Sequence, residues 1–272
     1  MRPHQAAPAS TLSLRGTWRR LTAASLRWIS PVALLVGWQA ASASGLLSPD
    51  ILAAPTTIAA QAWQLTQTGE LPEALWVSLR RALLGFVLGA STAIVLGAIA
   101  GRSRIGDLLV DPPLQMLRTI PLFGLVPLFI LWFGIGEFPK ILLVAIGVLI
   151  PLYLNLIAAL RGIDPELFEV ADTLRLNRRE RIRHVLLPGA LPGTLVGLRQ
   201  SLGFSWLALI VAEQINASSG LGYMINNARD FLQTDTIVVG LLAYAALGLI
   251  TDAIVRVLER RALRWRDEAA VA

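Results

Sequence analysis

The chain has 272 residues, of which 55% are hydrophobic and 15% are charged, and its formal net charge is +6. Charges are absent from stretches such as 29–49, 82–101 and 119–135, each about as long as a membrane-spanning helix requires, which excludes an ordinary soluble domain. The chain has no cysteine and only two histidines, which excludes disulfides, thiolate metal sites and a His-rich metal centre, so neither a metal nor a cofactor is expected.

The apolar runs predict an all-α fold, a polytopic membrane helix bundle with six transmembrane helices. Residues 1–27 are basic and begin with a segment rich in Pro, Ala and Ser, so we expect a disordered tail. The first run ends near an Ala-Ser-Ala-Ser sequence that resembles a signal-peptidase site, but five later spans favour its retention as an anchor. The predicted spans are 28–47, 74–101, 119–135, 139–160, 191–211 and 237–257, within a single domain 28–265 that is followed by a tail, 266–272.

The segment between the first two spans is expected to lie at the outer membrane surface. It contains no Lys or Arg over 48–73, and Ile58, Ala62 and Leu65 give 55–68 one apolar side. The pattern predicts a short amphipathic helix.

The second span carries a small residue at every fourth position. Such a face has almost no side chains, so another helix can pack with its backbone close by. The pattern predicts a tight helix–helix seam, which has a role in transport only if it slides during a cycle. The seam residues are Gly85, Gly89, Ala93, Gly97 and Gly101.

Prolines interrupt the third and fourth spans at Pro121, Pro127 and Pro151. A proline bends a helix and frees backbone carbonyls, which need partners inside a bilayer. These helices are therefore expected to face protein or a water-filled path.

Arginine placement predicts the orientation. The arginines gather before the first span, between the second and third, between the fourth and fifth, and after the sixth. The opposite loops hold only Lys140, Arg229 and, ambiguously, Arg80 and Arg81. Because basic loops stay in the cytoplasm, both termini and the loop 161–190 are expected there, and the net positive charge needs no nucleic-acid partner. The group between the second and third spans consists of Arg102, Arg104 and Arg118.

The loop 161–190 has its own pattern. Asp164, Pro165 and Glu166 form a helix-start signal, and the apolar residues Leu167, Val170, Ala171 and Leu174 then follow at helical spacing. A second helical stretch is expected over 178–186, after which Pro188 and Pro192 are expected to turn the chain back into the bilayer. The arginines alone would suit an anchor beside anionic lipid, but a preformed helix with an apolar stripe suits docking in a groove of another protein.

The same loop resembles the EAA loop of permease subunits of ABC importers, through Glu169-x-Ala171 followed by Val185-x-Leu187-Pro188. Other segments, such as LLVDPPLQMLRTIPLFGLVPLFILWFGIGEFPK and SWLALIVAEQINASSGLGYMINNARDFLQTD, resemble the nitrate, sulfonate and taurine branch of that family, and most of all its aliphatic sulfonate permeases. The resemblance extends over residues 55–265.

This resemblance implies the fold of a type I ABC importer permease in a bacterial inner membrane. It implies a homodimer of this chain, two cytoplasmic ATPase subunits that bind the ATP, and a periplasmic or lipid-anchored substrate-binding protein. The expected substrates are aliphatic sulfonates or taurine, with nitrate or a thiamine-precursor-like compound as alternatives. The residues implied to couple to the ATPase are Glu169, Val170, Ala171, Asp172, Thr173, Leu174, Arg175 and Leu176.

One position departs from the family pattern. The family usually has Gly where this chain has Arg175, at the turn that follows the first helix. Because Gly adopts a left-handed conformation at little cost, we expect the turn to move to Asn177; the alternative is that Arg175 contacts the ATPase.

Five ionisable residues fall at membrane depth, where such groups usually find partners. Glu213 is expected to pair with Arg80 or Arg81, and Arg199 and Asp252 lie together nearer the inner half. Structural pairing is the simpler interpretation; the alternative is that a cation on the translocation path attracts a sulfonate.

Two other classes of function are considered. A self-sufficient secondary transporter would show an internal repeat, and none is apparent between the halves. A membrane enzyme would show a catalytic motif, and the chain contains no GxSxG, HExxH or GxxxxGK[ST] sequence. Without a nucleotide motif, the chain depends on a partner for ATP hydrolysis.

Overall fold

A computed structural model describes residues 14–48 and 50–264 of the chain, without the side chains of 14–28, 102 and 216. Every regular element within these residues is a helix, which confirms the predicted all-α class. Residues 1–13 of the expected N-terminal tail and the expected C-terminal tail 266–272 lie outside the described residues.

The helices follow one another with short connections. A 3₁₀ turn, Leu122–Gly124, leads into α5, and a π-helical segment, Ile182–Leu186, joins α8 to α9. The helices are α1 Leu14–Ala43, α2 Pro55–Gln67, α3 Glu70–Arg102, α4 Arg104–Thr119, α5 Leu125–Phe133, α6 Glu137–Arg161, α7 Pro165–Thr173, α8 Arg178–Arg181, α9 Leu187–Asn216, α10 Leu221–Asp230 and α11 Thr234–Ala262.

Four helices of the described chain are long and apolar enough to cross a membrane, namely α3, α6, the continuous helix Arg178–Ile215, and α11. They correspond to the second, fourth, fifth and sixth predicted spans. The first predicted span contains a shorter apolar helix, Ile29–Ala43, and the third is part of a bent pair. By length and composition, the described helices support four spans, or five if the bent pair is one span, so the predicted count of six is not confirmed.

The N-terminal helix is longer than the sequence pattern predicts. α1 begins at Leu14, so 14–27 are helical although they are expected to belong to the disordered tail. This segment is rich in Leu, Arg and Ala, which favour helix.

The third predicted span is not one straight helix. α4 and the segment Leu122–Phe133 meet at 87°. Ile120 is extended, with φ −77° and ψ 125°, because the residue before a proline avoids the helical region. α4 thus occupies sequence expected to be a cytoplasmic loop, and its beginning is capped by Ser103, whose Oγ accepts a hydrogen bond of 2.9 Å from the Gly106 amide.

The small-residue seam of α3 is confirmed, and its partner is α6. A Cβ atom on Gly85 would lie 2.5 Å from Cβ of Val144, and one on Gly89 would overlap the Ala145 carbonyl oxygen. Ala93 is fully buried in the same seam. The two helices run parallel, because successive seam positions of α3 meet successive positions of α6.

A second seam joins α6 to α9. Cβ atoms on Gly193 and Gly197 would each lie 2.6 Å from Cβ of the facing α6 residue, Ala159 and Asn155 respectively. α9 runs antiparallel to α6, and α6 is therefore packed closely against two helices.

The amphipathic segment after the first span is a helix, α2, as predicted. Its Ile58 and Leu65 are buried, and its Gln61 donates a 3.0 Å hydrogen bond to Thr236 of α11. Its apolar face packs on the bundle, and its polar edge connects to the start of the last span.

Candidate functional site

The loop between α6 and α9 forms the helix that the sequence predicts. Asp164 caps α7 by accepting a 2.9 Å hydrogen bond from the Glu166 amide, and Pro165 occupies the first turn. We refer to the end of the bundle that carries α7 as the loop end. Here α6 ends and α9 begins.

Ala171 seats α7 on the bundle. It is 1% exposed and belongs to a buried cluster with Ile163, Val185 and Ala190. This differs from the predicted single apolar side, because the one small residue faces inward while the three larger ones face outward. Those three are Leu167, Val170 and Leu174, whose exposed fractions are 48%, 54% and 65%.

Glu169 lies beside this outward stripe. Its side chain is exposed and has no ion-pair partner among the described residues. The exposed surface of α7 thus combines a free carboxylate with an apolar stripe.

The turn after α7 contradicts the expectation placed on Asn177. Arg175 itself adopts the left-handed conformation, with φ 49°. The Leu176 amide donates to the Ala171 carbonyl and the Arg175 amide donates to the Asp172 carbonyl, both at 3.0 Å. These paired hydrogen bonds define a Schellman ending, which holds the residue at this position left-handed whether or not it is glycine.

Asn177 has a different role, which is to start the next helix. Its Oδ1 accepts hydrogen bonds from the amides of Arg179 and Glu180, and the Glu180 carboxylate accepts from the Asn177 amide at 2.7 Å. This reciprocal capping box requires extended backbone at Asn177, so the left-handed turn cannot move there.

Arg181 ties α7 to the helix that follows. Its guanidinium forms an ion pair with Asp172 and donates a 3.0 Å hydrogen bond to the Leu176 carbonyl. A displacement of α7 would therefore pull directly on α8.

The expectation that Pro188 and Pro192 turn the chain is also wrong. The helix continues without a break from Arg178 to Ile215, so the arginine cluster forms the first turns of the fifth span itself. Pro188 has no amide hydrogen and would clash with the carbonyl four residues earlier in a regular α-helix. The π-helical segment Ile182–Leu186 immediately before it loosens the turn that has to accommodate the ring.

At the opposite end of the bundle, Arg81 is the centre of a buried ionic cluster. Arg81 is 1% exposed and Glu213 is fully buried, and Nη1 lies 2.7 Å from Oε1 of that carboxylate. Its Nε and Nη2 each donate to Glu137 at 2.6 Å, in a bidentate pair. The expected pairing of Glu213 is thus present for Arg81, whereas Arg80 is 54% exposed and lies 3.9 Å from Glu137.

In addition to Arg81, three neutral groups donate hydrogen bonds to the Glu213 carboxylate. Ser78 and Tyr244 donate to it at 2.8 and 2.7 Å, and the Gly222 amide donates at 2.9 Å. The cluster therefore connects α3, α6, α9, α10 and α11, and every one of its acceptors has a donor. These contacts favour the simpler interpretation of Arg81 and Glu213 as a structural pair.

Several members of this cluster are missing from the sequence prediction, among them Ser78, Glu137, Lys140 and Tyr244. Glu137 and Lys140 appear to belong to an outer loop, yet Lys140 is 6% exposed and lies 3.5 Å from Glu137. The i,i+3 spacing of these opposite charges at a helix start was the available signal. The sequence gives no such signal for Tyr244, because a single tyrosine in an apolar span resembles an ordinary core residue.

The second expected pair is also formed. Arg199 of α9 donates through Nε to Asp252 of α11 at 2.7 Å, and Arg256 lies 2.8 Å from the same carboxylate. The pair is half-exposed and fastens α11 to α9.

A cleft of about 800 Å³ opens beside the middle of α6 and α9. The end of α4, the 3₁₀ turn and the start of α5 form its other wall. Most of its lining is apolar, and its polar side chains are Arg118, Asn155 and Gln200. Arg118, which the sequence pattern groups with the loop arginines, thus lies well away from the loop end.

The comparisons with known proteins agree with this arrangement. The family model for binding-protein-dependent transport system inner membrane components matches residues 93–264. Two proteins named as aliphatic sulfonates transport permeases, both called SsuC, are similar over most of their length. The one from Bacillus subtilis (strain 168) is 46% identical over 237 residues, 87% of this chain and 86% of that protein. The one from Escherichia coli (strain K12) is 48% identical over 238 residues, 88% and 90%.

A more distant relative and two solved structures complete the comparison. The taurine permease TauC of E. coli (strain K12) is 32% identical over 240 residues, 86% of this chain and 87% of that protein. An amino acid ABC transporter crystallised with histidines gives a TM-score of 0.62 at 17% identity, over 73% of this chain and 96% of that one. The inward-facing MetNI methionine transporter gives 0.51 at 20%, over 72% and 96%.

The two structures establish the fold, and the family model and the relatives establish the kind of protein. The chain belongs to the binding-protein-dependent transport system inner membrane components, and it is a multi-pass permease subunit of a type I ABC importer rather than an enzyme.

Proposed function

We propose that this permease imports aliphatic sulfonates. The observation that carries the proposal is the identity of 46–48% to the two SsuC proteins over nearly nine-tenths of the chain. The taurine permease is a second candidate by name, since taurine is itself a sulfonate, but its identity is only 32%.

As a permease of a binding-protein-dependent importer, the chain works with ATPase subunits and a substrate-binding protein. The finer proposal is a homodimer of this chain with two ATPase subunits at its loop ends and a periplasmic or lipid-anchored binding protein opposite. The arginine-rich start of the fifth span supports a cytoplasmic loop end, and both termini would then be cytoplasmic.

We further propose that α7 is the element that docks on the ATPase. Its outward stripe of Leu167, Val170 and Leu174 is exposed, and the neighbouring Glu169 carboxylate is free. An exposed amphipathic helix suits a groove, into which its apolar side chains are buried on binding.

The packing suggests how α7 would drive the membrane helices. Ala171 and the Arg181–Asp172 pair hold α7 against the start of α9, so the two move together. α9 packs on α6 through a glycine seam, and α6 on α3 through another. When ATP closes the ATPase dimer, displacement of α7 would be transmitted through α9 and α6 to the centre of the bundle. The permease conformation that makes the better contacts with the closed ATPase dimer would then be favoured.

Two measurements test the proposal. A tagged chain expressed with its ATPase and binding protein should co-purify with the ATPase, and proteoliposomes holding the complex should accumulate an alkanesulfonate only with ATP and the binding protein. Uptake by the chain alone would instead indicate a secondary transporter.

Glu169→Lys tests the docking element within that assay. The variant should insert in the membrane at wild-type levels but abolish uptake and uncouple ATP hydrolysis, because it reverses the charge of the docking surface. Asp230→Lys reverses an exposed carboxylate at the opposite end of the bundle and is the control for the ATPase readouts, so it should leave co-purification with the ATPase and basal ATP hydrolysis unchanged. Normal uptake by Glu169→Lys would show that α7 does not couple.

A further inference from the structure

The membrane-level cleft contains an arginine without a counter-ion. Arg118 is exposed at the end of α4 and has neither an ion pair nor a hydrogen-bond partner among the described residues. The lining residues Ile146–Asn155 belong to the middle of α6, so the cleft lies near half the depth of the bundle.

Other arginines of the bundle have carboxylate partners. Arg81 and Arg199 each have a carboxylate oxygen at 2.7 Å. Ionisable groups at membrane depth normally pair in this way, because an unpaired charge in hydrocarbon is costly. Arg118 is therefore open to an anion that is not part of this chain.

An amide pair on the facing wall adds neutral donors. Asn155 Nδ2 donates to the Pro151 carbonyl at 2.8 Å and to Gln200 Oε1 at 2.9 Å. Both of its amide hydrogens are then used, and the Gln200 oxygen is occupied. Gln200 is exposed, and its Nε2 has no partner among the described residues, so it can donate into the cleft.

The rest of the lining is apolar. Phe123, Phe204 and Leu207 are each at least half exposed on the walls of the cleft. Its volume of about 800 Å³ is within the range of small-molecule sites, and such sites combine an apolar surface with a few placed polar groups. A ligand that suits these walls has one oxyanion head and a short apolar tail.

We propose that Arg118 and Gln200 form a transient binding station for the sulfonate group of an alkanesulfonate, whose alkyl chain lies against Phe123, Phe204 and Leu207. The station rests on the proposed substrate class and adds a site inside the membrane. A guanidinium matches two oxygens of a sulfonate. Because Arg118 is exposed and the second donor is neutral, binding is weak enough for the ligand to leave.

The test uses the complete complex of permease, ATPase and binding protein in proteoliposomes, with butanesulfonate as the transported probe. Arg118→Gln should lower ATP-driven uptake at least about tenfold, the order expected for losing a charge-assisted hydrogen bond. ATP hydrolysis stimulated by the loaded binding protein should stay at the wild-type level, and Arg118→Lys should retain part of the uptake. Arg104→Gln is the matched control, because it removes the same charge from the other end of α4 and should leave uptake unchanged.

A second measurement restores the charge after assembly. The chain contains no cysteine, so Arg118→Cys creates a single thiol in it. Labelling with an ammonium-bearing methanethiosulfonate should recover uptake, whereas a sulfonate-bearing one should not. The parent complex treated with both reagents controls for thiols in the partner subunits.

The outcomes separate the station from the proposed function. If the wild-type complex imports butanesulfonate and Arg118→Gln imports it equally well, the station is wrong and the function stands. Recovery with both reagents, or with neither, also overturns the station, because a structural role does not depend on the sign of the label. If the wild-type complex imports no sulfonate at all, the proposed function fails and the station with it.

Discussion

Arg175 holds a left-handed backbone conformation because the hydrogen bonds around it outweigh the preference of its side chain. Two amide–carbonyl hydrogen bonds end α7, Leu176 packs in the cluster that contains Ala171, and Asn177 is committed to capping α8. A non-glycine residue pays a modest cost in this position, and the motif persists despite it.

Replacing Arg175 by glycine should therefore stabilise the protein. We expect the free energy of unfolding to rise by about 1 kcal/mol, the cost of a left-handed non-glycine residue, and the melting temperature in detergent to rise with it. Arg183→Gly, at an exposed arginine within a continuous helix, should lower it by about 0.5–1 kcal/mol. A lower melting temperature for Arg175→Gly would mean that the arginine makes a contact worth more than the strain.

The stability of the ionic cluster at the opposite end is also expected to depend on a single residue, Arg81. Arg81→Met should lower the free energy of unfolding by about 3–5 kcal/mol, because it leaves the fully buried Glu213 carboxylate without its cation. Arg80→Met removes the same charge from an exposed neighbour and should cost less than about 1 kcal/mol. Thermal unfolding and purification yield are compared for the two variants. Equal losses of stability would show that the ionic cluster does not depend on Arg81.

At the scale of elements, residue periodicity and capping signals predict where helices form and which faces pack, but not which helices pack together. The four-residue repeat from Gly85 to Gly101 is enough to predict a seam, and the cap at Asp164 is enough to predict where α7 begins. Neither pattern predicts which helix packs on it. That α6 packs on the α3 seam is known only from the three-dimensional structure. The prolines predict that the third span bends, but the helix α4 before Pro121 escapes prediction, since its arginines resemble those of a loop.

The seam between α3 and α6 can be tested with the smallest possible side chain. Gly89→Ala places a Cβ atom against the Ala145 carbonyl oxygen and 2.9 Å from Cβ of Val148, so we expect a loss of about 1–3 kcal/mol. Gly248→Ala, in α11, has no atom within 4 Å of the new Cβ and should be neutral or slightly stabilising. Equal melting temperatures for the two variants would show that the seam is looser than described.

At the scale of the whole molecule, the two ends of the described bundle differ in how many contacts hold them together. At one end, Arg81 and Glu213 fasten the helices together through fully satisfied hydrogen bonds. At the other, α7 stands out from the bundle on a small buried cluster and one ion pair. The cleft lies between them, so under the proposed coupling a displacement of α7 would alter the cleft while the contacts at the far end hold the helices in place.

The central claim is that α7 seats in the ATPase, and cross-linking tests it most directly. Because the chain has no cysteine, Val170→Cys carries a single thiol on the outward stripe, 54% exposed in the permease alone. In the assembled complex, a short thiol-to-amine reagent should join this residue to the ATPase subunit. Trp63→Cys, on α2 and 65% exposed, should give no such product. The account is contradicted if Val170→Cys stays free in an active complex, or if both positions cross-link to the ATPase alike.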